Sequence, residues 1–417
     1  MRHPLRPALL LLALALGGCL GQGSQPSAPP ANFSVAPGES QVVLNWTADP
    51  NLTYWIYYSQ GSTTGLGNAD HILFQVTPPY DLTGLTNNTQ YAFAVTASDN
   101  GSQVGPFTPV VTATPRPIGP LNTWTVGTPL GTGTNNLNAI AFGNNTYVAV
   151  GDGAQIWSAP FSYTSAGGVT GWTQQTSPVL GVNLTGIVYD GTRFVALGAD
   201  GTVLTSSDGT TWTAATAIAG ASGMHAIAYG VVNGTGIYVA VGDAGVIDYN
   251  GNAGVGGNWT PASSGTAQNL YGVAFLNSQF VAVGAQGTVV TSPDGITWTV
   301  QTSAASATTN ALRAVAYGVV NGTGTYVAVG DAGTVLSSTD AVTWTAQSPP
   351  TPQNLNAIAF GPDAQFVAVG AAGTTVYGTT GTSWASNNVG TNQDLYAIAP
   401  NAVYIAVGVA DTNVSAK

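Results

Sequence analysis

Between Leu137 and Gly408 the chain repeats one hydrophobic pattern seven times. Each copy opens on a short alternating run: LNAIAF, LTGIVY, MHAIAY, LYGVAF, LRAVAY, LNAIAF and LYAIAP. The copies start at Leu137, Leu184, Met224, Leu270, Leu312, Leu355 and Leu395. A second run, YVAVG or a close variant, ends at Gly151, Gly198, Gly242, Gly284, Gly330, Gly370 and Gly408. A turn then leads to a third run such as GTVLTS, and a Trp-Thr pair marks a fourth. Short period-two runs bounded by turn residues predict β-strands, and no long segment carries the 3.6-residue period of a helix. Residues 231–245 and 319–333 differ only at Ile237 and Thr325, and they belong to the third and fifth copies.

Four strands in a period of 40–47 residues predict a β-propeller. One unit cannot bury both faces of its sheet, so neighbouring units must cover it. Closure can be read from the tryptophans of the fourth strands: Trp124, Trp172, Trp212, Trp259, Trp298, Trp344 and Trp384. They are out of phase with the glycines, because Trp124 precedes the first copy and only a short tail follows Gly408. Residues 395–417 and 121–136 together amount to one repeat. The strand at Trp124 is therefore expected to complete the last unit and close a seven-bladed ring, which removes an exposed sheet edge. An open seventh unit, or a tail that supplies a strand of its own, fits the count as well.

Residues 32–115 carry a different pattern. Trp46 lies in VVLNWT, Tyr54-Trp55-Ile56-Tyr57-Tyr58 alternates, and LTGLTNNTQYAFAVTASD contains Leu82, Leu85 and Tyr91. This segment resembles a fibronectin type III domain, in which a corner tyrosine bonds back to nearby backbone; the resemblance implies a seven-stranded sandwich. His71 is assigned to a loop, as a solvated side chain. The expected fold class is thus all-β, with a proline-stiffened hinge at 116–120 and the propeller at 121–417.

The chain opens MRHPLRPALLLLALALGGCLGQ. Arg2 and Arg6 precede an apolar stretch, Ala8 to Leu16, that is too short to span a bilayer as a helix. Leu16-Gly17-Gly18-Cys19 resembles a bacterial lipobox. That implies removal of residues 1–18, lipidation of Cys19 and a flexible tether over 19–31. Leu20 after the cysteine points to the outer membrane or cell surface. The alternative is a plain secretory signal with an incidental cysteine. Cys19 is the only cysteine, so the exported portion cannot form an internal disulfide.

Charge narrows the function. Six Lys and Arg stand against 17 Asp and Glu, a formal net charge of −11, and Glu39 is the only glutamate. Such a surface repels nucleic-acid phosphates and anionic headgroups. SSDGTTWT (206–213), SPDGITWT (292–299) and the weaker STDAVTWT (338–345) resemble the Asp-box or BNR repeat; TTGTSW (379–384) has lost the Asp. Sialidases and photosystem II assembly-factor propellers share that box, and the region looks most like the latter. Asp208 and Asp294, each before a Gly, are expected to hold type I′ hairpin turns, Asp340 is a structural residue of the weaker box, and Trp212, Trp298 and Trp344 are expected to fill space between blades. Asp152, Asp243 and Asp331 are likewise read as turn residues.

A sialidase-type site needs three arginines and an acidic partner. The propeller has only Arg193 and Arg313 and no Glu. His225 is its only histidine, without a Gly-x-Ser-x-Gly elbow, and no metal-ligand cluster or cofactor motif is present. No enzyme activity, metal or cofactor is expected. One position changes its chemistry from copy to copy, the second residue of the first strand: Asn138, Thr185, His225, Tyr271, Arg313, Asn356 and Tyr396. These would line the mouth of a central channel and grip a glycan, a peptide terminus or a carboxylate, or else merely pack and hydrate the channel. The expected function is non-catalytic binding or scaffolding by a monomer at the cell envelope, with an envelope protein or a glycan as partner. A carbohydrate-active protein and an inert structural one are the alternatives.

Overall fold

Each YVAVG-type run becomes a strand buried on both faces: Tyr326, Val327, Ala328 and Val329 are at most 1% exposed. β-branched and small residues suit a strand sandwiched between two neighbouring sheets. Burial of each Val contributes ~1.5–3 kcal/mol relative to leaving it in water. The structure is a computed structural model. It describes residues 26–416 apart from 39–40, 63–68, 87–88, 100–103, 116–123, 162–168, 170, 252–256, 321, 349 and 402. The leader, Cys19, residues 19–25 of the tether and the 116–120 hinge lie outside the described residues. No helix among the described residues is long and apolar enough to cross a membrane.

Leu312–Val320, Thr323–Gly330, Val335–Ser338 and Thr345–Ala346 form a four-stranded antiparallel sheet in chain order. Five other repeats build sheets of the same order. The last sheet joins Leu395–Pro400, Tyr404–Gly408 and Asn413–Ala416 to Trp124–Val126 from the start of the region. Within it Ala416 pairs with Trp124, Ser415 with Thr125 and Val414 with Val126. Both ends of the repeat region thus contribute to this sheet: the tail supplies its third strand and Trp124 starts its fourth. We number the seven sheets 1 to 7 from Leu137 onward.

First strands touch their neighbours in chain order, and Leu395–Pro400 of sheet 7 touches Leu137–Gly143 of sheet 1. Polar links cross the same seam. Tyr147 Oη donates to Val403 O (2.9 Å), Gln155 Nε2 to Asp411 Oδ1 (2.9 Å), and Gly133 N to Asp411 Oδ2 (3.0 Å). The Tyr/Phe alternation in the second strands has a reason. The phenols of Tyr147, Tyr238, Tyr326 and Tyr404 hydrogen-bond Val403, Asp190, Gln279 and Asp363 on the preceding sheet. Phe194, Phe280 and Phe366 fill the same place apolarly.

Upstream, Ser34–Gly38, Gln41–Asn45 and Tyr80–Thr83 form one sheet. His71–Val76, Thr53–Gln60, Tyr91–Ser98 and Val111–Ala113 form a second. Leu44, Trp46, Ile56, Leu82, Leu85 and Phe93 form the core between them. Tyr91 Oη accepts from Thr86 N (3.1 Å). His71 corrects the loop assignment: it starts a strand and stacks on Tyr58 with centroids 4.7 Å apart, because the alternating aromatics beside it extend the sheet. Asn32 Nδ2 donates to Gly191 O (3.4 Å) and Gln41 Nε2 to Pro362 O (3.1 Å), so this unit meets hairpins that join first and second strands.

The turn chemistry differs from expectation. At Asp208 the third and fourth strands end at Ser206 and restart at Thr213. That loop is too long for a two-residue I′ hairpin, and only Gly209 within it has positive φ (77°). The I′ geometry instead follows the second strands: Ala244 (φ 54°, ψ 27°) then Gly245 (φ 75°), and Ala332 (φ 53°, ψ 36°) then Gly333 (φ 69°). A backbone clamp holds these alanines in the left-handed region. Ala244 N and Ala332 N donate to Asn269 Oδ1 and Asn354 Oδ1 of the next sheet, both at 2.8 Å.

Candidate functional site

In all seven sheets the pairing of first and second strands slips by one residue near the start of the first strand. In sheet 5, Leu312 pairs with Gly330 and Ala314 with Val329, which leaves Arg313 as the extra residue of a β-bulge. The other bulged residues are Asn138, Thr185, His225, Tyr271, Asn356 and Tyr396. The position that varies along the sequence is therefore the one whose side chain the backbone re-aims out of the ladder. All seven side chains are half-buried.

Glycine at the end of the second strand makes the bulge possible. A Cβ on Gly330 would lie 2.0 Å from Ala311 O, and one on Gly284 would lie 2.0 Å from Asn269 O. That carbonyl accepts the next amide, Asp331 N to Ala311 O at 2.9 Å, so the approach is part of the hydrogen-bonding. The glycine is required by contact, since its backbone is extended.

The bulged side chains reach the start of the first strand on the next sheet. Asn138 Nδ2 donates to Leu184 O (3.0 Å), and Thr185 Oγ1 to Met224 O (3.0 Å). The His225 ring lies 5.3 Å from that of Tyr271, and the Arg313 guanidinium carbon sits 4.9 Å above the Tyr271 ring. Asn356 Nδ2 donates to Leu395 O (2.9 Å). The Tyr396 phenol has its pKa pushed above the ordinary value by burial first, then by the carboxylates of Asp394 and Asp152, the latter on sheet 1. It stays a neutral hydroxyl at physiological pH.

Three aspartates bond directly to bulged side chains. Asp152 Oδ1 accepts from Asn138 (3.0 Å), and Asp243 Oδ1 lies 2.8 Å from His225 Nε2. Asp331 takes both Nε (2.9 Å) and Nη2 (3.1 Å) of Arg313. The same turn forms with Ala285, Ala371 and Val409 in place of Asp, so the carboxylates are not needed for the turn. They orient the donor of the adjacent bulge. Asn269, Asn354 and Asp394, each just before a first strand, are a further set that pattern reasoning passed over. Their signal was present as an Asn or Asp preceding the leucine.

The box aspartates lie elsewhere, between third and fourth strands. Asp294 Oδ1 accepts from Ile296 N (2.9 Å) and Thr297 N (2.7 Å), and Trp298 Nε1 donates to Gly295 O (3.1 Å). Asp208 with Trp212 and Asp340 with Trp344 repeat this geometry. Burial raises the Asp208 and Asp294 pKa values, but the hydrogen bonds outweigh it and hold both below the carboxylate range; at Asp340 the Thr343 and Val342 amides dominate. Trp212, Trp298 and Trp344 share core clusters with Val148, Val239 and Val281 of the preceding sheets. Arg193 lies apart from the mouth, 3.4 Å from Asp190. Among the described residues no cluster of three metal-ligating side chains occurs.

Repeated four-stranded sheets with their first strands in mutual contact define a β-propeller, here with a chemically varied residue at each bulge. No protein-family model matches the sequence, and no curated protein does. Solved structures do. YCF48 bound to a D1 peptide is 16% identical with a TM-score of 0.55, over 71% of this chain and 97% of that one. YCF48 from Cyanidioschyzon merolae is 17% identical, TM-score 0.53, over 70% and 98%. The WD40 propeller domain of Doa1 is 9% identical, TM-score 0.55, over 71% and 97%. At such identities the likeness is one of fold.

Proposed function

We propose that the chain is a non-catalytic binding or scaffolding protein whose bulged mouth captures a segment of another polypeptide. The observation that carries this is the set of bulges: seven sheets repeat the same one-residue slip, and the residue that each bulge projects differs in chemistry from sheet to sheet. Its groups offer donors, acceptors and two phenols, which suits backbone and side-chain recognition. The YCF48 structure with its peptide supports a propeller in this role. In our reading the seven sheets are the blades of a closed ring, and the upstream unit is a fibronectin type III-like spacer. Contacts between sheets 7 and 1 support the ring. Two packed sheets and the Tyr91 hydrogen bond support the spacer. We further propose export, lipidation at Cys19 and attachment to the outer membrane or cell surface. The spacer meets hairpins at the opposite end of the sheets from the bulges, which leaves the mouth free for a partner.

A photo-crosslinking amino acid at position 271 of the full lipidated chain tests this in intact cells. The expected result is one discrete protein adduct, lost when Arg313→Ala and His225→Ala are added. Equal adducts from a probe at exposed position 296, or none from 271, would refute the reading.

A further inference from the structure

Sheet 1 breaks the pattern of its siblings at the seam with sheet 7. In six sheets the residue opposite the central alanine of the second strand is Leu204, Asp248, Val290, Leu336, Val376 or Val414. In sheet 1 it is Trp157, opposite Ala149. The fourth-strand tryptophans fall into two groups, buried in sheets 2, 4 and 5 and half-buried in sheets 1, 3, 6 and 7. Trp212, Trp298 and Trp344 are buried, and each indole N–H donates to a carbonyl three residues back. Trp172 is half-buried, and its indole N–H has no hydrogen-bond partner among the described residues.

Between the sheets lies a cavity of about 390 Å³, lined by both indoles, by the apolar Pro129, Leu130 and Ile405, and by Thr125, Thr128 and Ser415. The three hydroxyls make no hydrogen bond within the described residues. Trp157 is fixed, its Nε1 donating to Gln155 Oε1 (3.1 Å). No Asp, Glu, Lys, Arg or His lines the cavity.

We propose that this seam cleft is a second binding site, distinct from the mouth, that takes an uncharged pyranose ring of a glycan. An apolar indole wall matches the C–H face of a pyranose, while an indole N–H and hydroxyls that bond to no described residue match its hydroxyls. The lack of charge argues against a carboxylate, phosphate or ammonium ligand, because a charge placed there would be desolvated without a partner. The volume lies within the usual ~300–1,000 Å³ of small-molecule sites. Because the site uses none of the bulged residues, it does not rest on the mouth reading.

The test is calorimetric titration of the full chain with maltotriose, cellotriose and chitotriose, paired with saturation-transfer NMR. At least one sugar should bind, and Trp172→Ala should weaken it by tenfold or more. Trp157→Leu should weaken it too, and it folds, because it installs the residue that sheets 2 and 5 carry at that register. Tyr271→Ala at the mouth should leave sugar affinity within twofold. The proposal is overturned if none of the three sugars binds, if Trp172→Ala leaves binding intact, or if Tyr271→Ala abolishes it.

Discussion

Gly330→Ala isolates the contact on which the bulged mouth depends. The added methyl would sit 2.0 Å from Ala311 O, 2.9 Å from Ala311 C and 3.0 Å from Leu312 Cα, all backbone atoms. No side chain can swing aside. Relief requires either opening the Asp331 N to Ala311 O hydrogen bond or moving the start of the Leu312 strand. Overpacking costs ~1–3 kcal/mol, and a lost hydrogen bond adds ~0.5–1.5 kcal/mol. We expect a destabilisation of about 3 kcal/mol, or roughly 5 °C in Tm for the 121–417 region. Differential scanning calorimetry measures it. Gly251→Ala is the control, since no described atom lies within 4 Å of a Cβ there and the backbone is not left-handed. A Gly330→Ala Tm within about 1 °C of wild type would show that the glycine does not hold the bulge, and the steric argument would fail for its counterparts.

Asp294→Ala removes the acceptor for two loop amides and should cost ~1–2 kcal/mol by denaturant titration, with Asp294→Asn in between. The folded-state pKa values of Asp208, Asp294 and Asp340 are depressed, so their contribution is present above the unfolded value of ~3.9 and is lost as pH falls towards the folded values. Replacing all three by Asn should flatten the acid limb of a Tm-against-pH curve below about pH 4. Asp248 has the opposite sign: burial raises its pKa, so the folded state loses stability as pH rises through the unfolded value. Asp248→Leu should raise Tm by about 2–6 °C at pH 7 and by less at pH 3.5. Thr125→Cys with Ser415→Cys joins two directly paired residues from the two ends of the region. Cα atoms in such pairs lie ~4.5–5.5 Å apart, within the ~4.4–6.8 Å that a disulfide spans. The variant should oxidise without a denaturant and lose its free thiols. Persistent thiols would mean that these strands do not pair.

Much of this protein is decided by repetition along the chain. Alternation in LRAVAY and YVAVG predicts paired strands, because a side-chain period of two puts one face towards each neighbour. Seven copies of that signal, with Trp124 out of phase, point to the strand pairing seen between Trp124 and Ala416. The variable second residue of each first strand was equally legible, because a framework that repeats makes a changing position visible. What the pattern could not reveal is how backbones approach in space. A bulge alters pairing without altering composition, so Arg313 and its counterparts gave no local sign of being projected from the ladder. The Asp-Gly dipeptide suggested a I′ turn at Asp208, yet that geometry falls at Ala332-Gly333, where Asn354 on the next sheet holds it. Asp152, Asp243 and Asp331 read as turn residues until the fold set each beside the donor of its own sheet. The seam cleft is the furthest from the sequence. Trp157, Trp172 and Ser415 come from opposite ends of the repeat region, and only the meeting of the first and last sheets brings them to one cavity.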